Sequence, residues 1–190
     1  MDAKHWDLKY AAMPGMWGAT ANATVVTELT DRTPGVAVDI ACGDGRNAVW
    51  LAERGWDVAA VDFSPVAIGQ ARARSGADAV AWEVGDALVW SPGRPVDLVL
   101  ITYLHVPGLA AILSRAMGWL APGGEVLYLG HALENLEHGT GGPSDPDVLP
   151  DVGQLATALS GVRIRRFEHV DRPTDNGTAV DLLVAVSGWV

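Results

Sequence analysis

The residues with the clearest chemical signature lie in a glycine-rich turn between an apolar run and a helix-like segment. Gly43, Gly45 and Ala48 match the pattern G-x-G-x-x-A, whose glycines let the backbone approach the polar part of a cofactor at the start of a helix. Asp62 lies 17 residues past Gly45, at the end of the next apolar run, where a carboxylate can bind ribose hydroxyls. The spacing predicts a site for an adenosine-containing cofactor, and a nicotinamide dinucleotide is one candidate.

Two further carboxylates favour S-adenosylmethionine instead. Asp39 lies near the end of the first apolar run, where a negative charge gains nothing from a pyrophosphate but attracts the ammonium and sulfonium groups of S-adenosylmethionine. Asp86 follows a later apolar run, where it can accept a hydrogen bond from an adenine amino group. Structural alternatives stay open: Asp39 could pair with Arg46 or cap a helix, Asp62 could cap the next helix, and Asp86 could be a turn residue.

Methyl transfer from a sulfonium is an in-line displacement, so the protein has to align the acceptor and exclude water. A thiolate or selenide acceptor needs no base, whereas a hydroxyl or amine must lose a proton, for which histidine is suited near neutral pH. His105 and His131 follow two predicted strands, and Tyr103 could orient the acceptor or stack on it. These three are the candidate catalytic residues, and an ordinary structural role is the alternative for each.

Apolar runs alternate with helix-like segments over most of the chain. The runs predict five strands, at residues 33–41, 56–63, 79–87, 95–104 and 125–131. The segments predict four helices, at residues 19–29, 47–54, 64–74 and 108–120. Ser64 is the expected N-cap of the third helix, with Pro65 at its first position. Residues 121–124, APGG, predict a turn, and residues 133–150 lack periodicity and could close over a substrate.

This alternation predicts an α/β fold, a Rossmann-like three-layer sandwich in which helices cover both faces of a mostly parallel sheet. The last two strand-like runs, residues 162–170 and 178–187, are separated by too few residues for a crossover helix, so we expect a C-terminal antiparallel hairpin. We expect an N-terminal helical cap at residues 1–33 and a cofactor-binding domain at residues 34–190, together forming a single compact domain.

The composition argues against several classes of protein. With a net charge of −10 and no basic stripe, the chain is a poor partner for nucleic acid. Its one cysteine fits a reducing compartment, and no apolar leader is present, so we expect a cytoplasmic protein. The most apolar stretch, residues 98–113, is interrupted by polar residues and a proline, which argues against a membrane span. We expect no metal, because no residues show metal-ligand spacing, and the sequence leaves a homodimer open.

The order of these motifs resembles that of class I S-adenosylmethionine-dependent methyltransferases, over about residues 34–190. DIACGDGRN resembles their first motif, VAAVDFS the second, VGDA the adenine segment, PVDLVLITYLH the fourth motif and LAPGGEVLYLG the turn into strand five. CGDGRNAVWLAERGWDVAAVDFSP and the N-terminal WDLKY resemble, more narrowly, the tellurite-resistance and thiopurine methyltransferase-like group. One departure is Ala41, which stands where the family commonly has glycine.

The resemblance implies a seven-stranded sheet, S-adenosylmethionine as cofactor and S-adenosylhomocysteine as product, and a small-molecule acceptor. It also implies the cofactor-binding residues, which are Trp6, Tyr10, Asp39, Ala41, Cys42, Gly43, Gly45, Arg46, Asn47, Asp62, Phe63, Asp86, Ala87 and Thr102. Plain packing of the cap on the sheet is the alternative for the aromatic residues. An NAD-dependent oxidoreductase and a non-catalytic S-adenosylmethionine-binding protein are the alternative functions.

Overall fold

A computed structural model describes residues 3–189, whose strands form one seven-stranded sheet. In chain order the strands are Val36–Ile40 (β1), Asp57–Asp62 (β2), Val80–Val84 (β3), Val96–Thr102 (β4), Leu120–His131 (β5), Val162–Thr174 (β6) and Gly177–Trp189 (β7). Their order across the sheet is β3-β2-β1-β4-β5-β7-β6. β1 and β3 run parallel to β2, whereas β7 is antiparallel to both β5 and β6. The predicted α/β fold with a C-terminal antiparallel hairpin is therefore confirmed.

Helices alternate with the strands as the sequence predicts. They are Ala3–Ala12 (α1), Ala23–Leu29 (α2), Arg46–Glu53 (α3), Pro65–Arg72 (α4), Leu109–Met117 (α5), Asn135–His138 (α6) and Val152–Ala158 (α7). The short helices α6 and α7 were not predicted, because four and seven residues are too few to show a helical period. None of the helices between residues 3 and 189 is long and apolar enough to cross a membrane.

The chain forms two compact units, Met1–Leu100 and Ile101–Val190. In the first unit, local signals start the helices that follow β1 and β2. The Ser64 hydroxyl accepts a hydrogen bond from the amide of Ala67 at 3.0 Å, and Pro65 occupies the first position of α4, as expected. Gly45 has a φ of 82° and is the N-cap of α3, a conformation that favours glycine. The chain is thereby turned from each strand directly into a helix.

The N-terminal helices are fastened to the same first unit by side chains. The Asp7 carboxylate of α1 accepts hydrogen bonds from the Ser64 hydroxyl and, at 3.3 Å, from the amide of Val66, so it helps to cap α4. The Asn22 side chain caps α2, and its own amide donates to the Asn47 side chain of α3 at 2.9 Å. Helix α1 is thereby held to α4, and α2 is held to α3.

The second unit is built on the antiparallel strands β5, β7 and β6. β6 and β7 are joined at Asp175 and Asn176, so both strands extend further than predicted and the connection is a tight turn. The turn predicted at residues 121–124 is wrong, because β5 begins at Leu120 and Gly123, with a φ of 86°, lies inside the strand. Arg165 of β6 pairs with Glu125 of β5 through two hydrogen bonds of 2.8 Å.

Arg74 links three segments of the first unit. Its guanidinium lies 2.6 Å from the Asp44 carboxylate in the glycine turn and donates to the carbonyls of Gly18 and Ala19 at 3.0 and 3.3 Å. Only 3% of the Asp44 side chain is exposed, so this carboxylate depends on Arg74 for its charge compensation.

Replacing Arg74 with methionine should lower the free energy of unfolding by about 3 kcal/mol, because Asp44 is left buried without its charge partner. Arg72 is the matched control, since it is exposed and its guanidinium donates to the Trp82 carbonyl at 3.1 Å. Arg72→Met should cost less than about 1 kcal/mol. Urea denaturation measures both values, and equal losses would contradict the role given to Arg74.

Candidate functional site

Three alternate residues of the glycine turn after β1 have a left-handed backbone conformation. Ala41, Gly43 and Gly45 have φ values of 56°, 58° and 82°. The amide of Cys42 donates to the carbonyl of Val61 at 3.0 Å, which ties the turn to the end of β2. A left-handed alanine costs roughly 1 kcal/mol relative to glycine, which gives a physical reason for the glycine that the family commonly has where Ala41 stands.

Asp62 organises this turn with both of its carboxylate oxygens. Oδ2 accepts a hydrogen bond from the amide of Gly43 and Oδ1 accepts one from the amide of Ser64, each at 2.9 Å. The side chain is buried, and burial raises its pKa, whereas the two amide hydrogen bonds lower it. Asp62 therefore holds the strand end and the glycine turn together, and each oxygen keeps a second lone pair for a ligand hydroxyl.

Asp39 is a buried carboxylate whose charge is poorly compensated. Neither of its oxygens makes a well-formed hydrogen bond with residues 3–189, and none of the residue is exposed. Burial, together with the nearby Asp62 carboxylate, raises the pKa of Asp39 to about 8, although the guanidinium of Arg46 and the backbone amide of Ala48 act in the opposite direction. Such a group is costly unless a ligand completes it, and a ligand ammonium is the chemical complement it lacks. The residues present therefore fit the amino-acid part of S-adenosylmethionine.

Aromatic residues of the N-terminal segment lie against the glycine turn. A Cβ atom on Gly43 would lie 2.5 Å from the Tyr10 hydroxyl, so Tyr10 contacts the backbone there directly. The Trp17 indole nitrogen donates to that hydroxyl at 3.2 Å, and the ring of Trp6 lies 5.8 Å from the ring of Tyr10. The predicted residues Trp6 and Tyr10 are thus brought to the turn, together with Trp17 and with Lys9, whose ammonium lies 4.6 Å from the Trp6 ring centre.

Other predicted cofactor residues of the first unit make structural contacts. The Arg46 guanidinium donates a hydrogen bond to the Trp17 carbonyl, and the Asn47 side chain accepts one from the backbone amide of Asn22. Burial raises the pKa of the Cys42 thiol well above its usual value, which disfavours the nucleophilic thiolate.

Asp86 lies in an exposed turn after β3. Its carboxylate accepts a hydrogen bond from the backbone amide of Leu88 at 2.8 Å, which stabilises the turn. The neighbouring residue Ala87 is half-buried. Phe63, which follows β2, and Thr102, which ends β4, are also half-buried. Contact of these four residues with the cofactor stays a prediction.

In the second unit, the candidate catalytic residues form one cluster. The ring centres of Tyr103 and His131 lie 5.4 Å apart, as do those of His105 and His131. Tyr103 has a φ of 53°, which is rare for a bulky residue, and its amide donates to the Leu129 carbonyl of β5 at 2.7 Å. Strained backbone of this kind is concentrated at functional sites in proteins.

Sequence reasoning missed the centre of this cluster, Asp181 of β7. Its carboxylate is fully buried and accepts hydrogen bonds from the Tyr103 hydroxyl at 2.7 Å and from Arg172 Nε at 2.6 Å. His131 Nδ1 lies 3.3 Å from the other oxygen, Oδ1. The only sequence signal for Asp181 was that it is the one charged residue in the apolar run TAVDLLVAVS. Its partner Arg172 lay in the segment predicted to be the hairpin turn.

The loop after β5 lies over the His131 ring. A Cβ atom on Gly142 would lie 2.7 to 3.0 Å from three atoms of this ring, so only glycine fits there without displacement. The buried side chain of Asn135 stabilises the loop, because it donates a hydrogen bond to the Gly141 carbonyl and accepts one from the backbone amide of Val180. Part of the predicted substrate-closing segment therefore covers a candidate catalytic residue.

A cavity of about 280 Å³ lies within the second unit, between the start of α5 and residues 146–155. Leu109, Leu133 and Leu149 form apolar walls, and Asp147 and Gln154 add polar groups. Its size suits a small molecule.

Comparison with known proteins finds a methyltransferase domain in part of the chain. Residues 37–124, slightly less than half of the chain, match the model of a family described as a methyltransferase domain. The match covers the glycine turn, Asp62, Asp86 and the strand before Tyr103, and it decides against the nicotinamide alternative. The prediction of a class I S-adenosylmethionine-dependent methyltransferase, with S-adenosylmethionine as cofactor, is confirmed at the level of the family.

Two curated relatives support the same assignment. Trans-aconitate 2-methyltransferase from Methylobacterium radiotolerans is 34% identical over 106 residues, which are 54% of this chain and 40% of the relative. The protein of that name from Streptomyces avermitilis is 33% identical over 106 residues, 51% of this chain and 39% of the relative. The chain thus matches about two fifths of the length of these relatives.

Several solved structures share the fold. TehB from Haemophilus influenzae aligns with a TM-score of 0.74 and 13% identity, over 96% of this chain and 66% of its own. CcbJ from Streptomyces caelestis aligns with 0.73 and 16% over the full length of both chains. An S-adenosylmethionine-dependent methyltransferase from Mesorhizobium loti gives 0.69 and 21%, over 86% of this chain and 95% of its own.

The raised pKa of Asp39 predicts how stability depends on pH. Between about pH 4, the ordinary pKa of an aspartate, and pH 8 the folded protein holds a proton that the unfolded chain releases. The stability of the ligand-free protein should therefore fall as the pH rises through this window, by roughly 3 kcal/mol between pH 5 and pH 8. Asp39→Asn, which cannot ionise, should remove this component.

Urea denaturation at the two pH values measures the effect. Asp57→Asn is the matched control, because Asp57 lies at the other end of the neighbouring strand β2 in an exposed pair with Arg94. This control should keep the pH dependence of the unmodified protein. If Asp39→Asn also keeps it, the carboxylate of Asp39 is ionised in the folded state.

Proposed function

We propose that this chain transfers a methyl group from S-adenosylmethionine to a small-molecule acceptor. The observation that carries the proposal is the buried carboxylate of Asp39, which makes no well-formed hydrogen bond, beside the glycine turn of a methyltransferase domain. The acidic balance of the chain, with a net charge of −10, favours a small acceptor over a nucleic acid. The names of the curated relatives also support methyl transfer, although the match covers only about two fifths of each relative.

In this proposal the first unit binds the cofactor, which supplies an electrophilic methyl group on a sulfonium. Asp39 pairs with the ammonium, and the backbone at Gly43 and Gly45 approaches the methionine part. Asp62 accepts hydrogen bonds from the ribose hydroxyls with the lone pairs that its two amide contacts leave. Asp86 accepts from the adenine amino group, and Trp6, Tyr10 and Trp17 exclude water from the turn.

The second unit binds the acceptor. The cavity beside α5 is large enough for a small molecule. Tyr103, His105 and His131 provide a hydroxyl and two imidazoles in one cluster, which could orient the acceptor and manage its proton. Gly142 and its loop limit the access of water to His131.

Calorimetric titration with S-adenosylhomocysteine tests the cofactor assignment. We expect a micromolar dissociation constant, which corresponds to about −8 kcal/mol. Asp62→Ala should weaken binding at least tenfold, whereas Asp57→Ala, at the exposed end of the same strand, should leave it unchanged. A signal with NADH and none with S-adenosylhomocysteine would contradict the proposal.

Turnover separates an enzyme from a protein that only binds the cofactor. Release of S-adenosylhomocysteine from S-adenosylmethionine, measured against a panel of small acceptors, is expected for at least one of them. Cofactor binding without release against any acceptor would support the non-catalytic alternative.

A further inference from the structure

Strand β6 forms one edge of the sheet. Among the described residues 3–189 its only neighbouring strand is β7, with which it pairs from Val162 to Thr174. An edge strand presents unpaired backbone amides and carbonyls on its outer side, where a further strand can bind. Exposed apolar surface lies at the same edge, since 54% of Ile164 is exposed. The outer side of β6 is therefore a candidate surface for association with a second strand.

The hairpin turn determines which backbone groups of β6 face outward. Thr174 ends β6 directly before the two-residue turn, so its amide and carbonyl form the first hydrogen-bonded pair with β7. Because such pairs alternate along an antiparallel ladder, the amides and carbonyls of Phe167, His169 and Asp171 face outward. Pro173 falls in the same outward set, where its missing amide leaves no bond to β7 unmade. These alternate positions are the ones that a partner strand can bind.

The exposed charges of β6 are separated along the strand. Its first half has Arg163, Arg165 and Arg166, and its second half has Glu168 and Asp171. An antiparallel copy of β6 places the basic half against the acidic half, whereas a parallel copy in the same register places like charges side by side. Opposite charges on facing positions stabilise a strand pair, and like charges destabilise it. The strand is therefore complementary to its own reversed copy.

Two arginines of β6 already have partners within the second unit. Arg165 lies at a β-bulge of the ladder with β7 and pairs with Glu125. Arg172 pairs with the buried carboxylate of Asp181, so its charge is compensated within the protein and does not offset the acidic half. Charges on an edge strand usually protect it from foreign strands. Those of β6 penalise most partners and are satisfied by a second copy, which makes the edge selective.

The midpoint of the charge pattern sets the register of such a pair. Phe167 lies halfway between Arg163 and Asp171, and its amide and carbonyl belong to the outward set. Pairing about this residue lets its backbone bond to the partner's Phe167, and it places Arg166 opposite the partner's Glu168. Beyond the bulge, the long side chain of Arg163 can reach the partner's Asp171.

We propose that two copies of this chain form a dimer in which their β6 strands pair antiparallel about a two-fold axis at Phe167. The two sheets are then joined edge to edge, and every contact between charged residues occurs twice. The paired edge is no longer open to other strands. This inference is independent of the proposed methyl transfer, because it depends on β6 alone.

Sedimentation velocity over a range of protein concentrations tests the dimer. We expect the unmodified protein to form a reversible dimer that dissociates more readily in about 1 M salt, because its charge pairs are exposed. Arg163→Glu and Asp171→Arg should each weaken association at least tenfold, and the double variant should restore it. Arg94→Glu is the matched control, since Arg94 is exposed and pairs with Asp57 in the first unit. This control should leave association unchanged.

The results that would overturn the inference are equally specific. An unmodified protein that is monomeric at every concentration contradicts it. So does a dimer that both single variants leave intact, or one that the double variant fails to restore. Circular dichroism verifies that each variant is folded.

Disulfide cross-linking tests the register separately. At the two-fold axis Phe167 faces its own copy, and the Cα atoms of a hydrogen-bonded antiparallel pair lie about 5.5 Å apart, which a disulfide can span. Phe167→Cys should therefore give a covalent dimer on mild oxidation. Pro173→Cys is the control, because it lies in the same outward set but its two copies are about 41 Å apart along the strands. The native Cys42 is buried, and the unmodified protein measures its background. Equal cross-linking of both variants, or of neither, would overturn the proposed pairing.

Discussion

The buried carboxylate of Asp39, which makes no well-formed hydrogen bond, is the main electrostatic constraint on the first unit. Asp39 lies one residue before the end of the apolar strand β1, and it makes no well-formed hydrogen bond with the described residues. The neighbouring turn bends sharply, with positive φ values at Gly43 and Gly45. Asp62 then fixes the turn through the amides of Gly43 and Ser64. The local geometry is therefore maintained by one carboxylate and leaves the other for a ligand.

The second unit also contains a fully buried carboxylate, Asp181, but its charge is compensated by neighbouring side chains. Asp181 is as deeply buried as Asp39, but its charge is met by hydrogen bonds from Arg172 and Tyr103. A buried charge that is paired and hydrogen-bonded is tolerated at modest cost, whereas an isolated one shifts its pKa. Asp39 is thus a group that a bound cation would complete, and Asp181 is a group that already orients its neighbours. In the proposed function, Asp39 is the candidate for cofactor binding, whereas the charge of Asp181 is already compensated within the protein.

The parts of the fold that depend on local signals were predictable. Ser64 and Pro65 indicate the start of α4, and the glycines of the turn indicate where the chain passes from β1 to α3. Contacts between residues far apart in sequence left no comparable signal. Arg74 reads as an ordinary charged residue after a helix, yet it joins Asp44 to the carbonyls of Gly18 and Ala19. Asp181 reads as a break in an apolar strand, and only the pairing of β7 with β5 and β6 brings it to His131 and Arg172.

The account depends on Asp39 being protonated in the free protein and ionised when the cofactor is bound. Calorimetric titration with S-adenosylhomocysteine at pH 7, in two buffers of different ionisation enthalpy, measures the protons released on binding. Because the pKa of Asp39 is raised to about 8, we expect close to one proton to be released, and none with Asp39→Asn. A binding heat that does not depend on the buffer would contradict the account, because it would show that the carboxylate of Asp39 does not change its ionisation when the ligand binds.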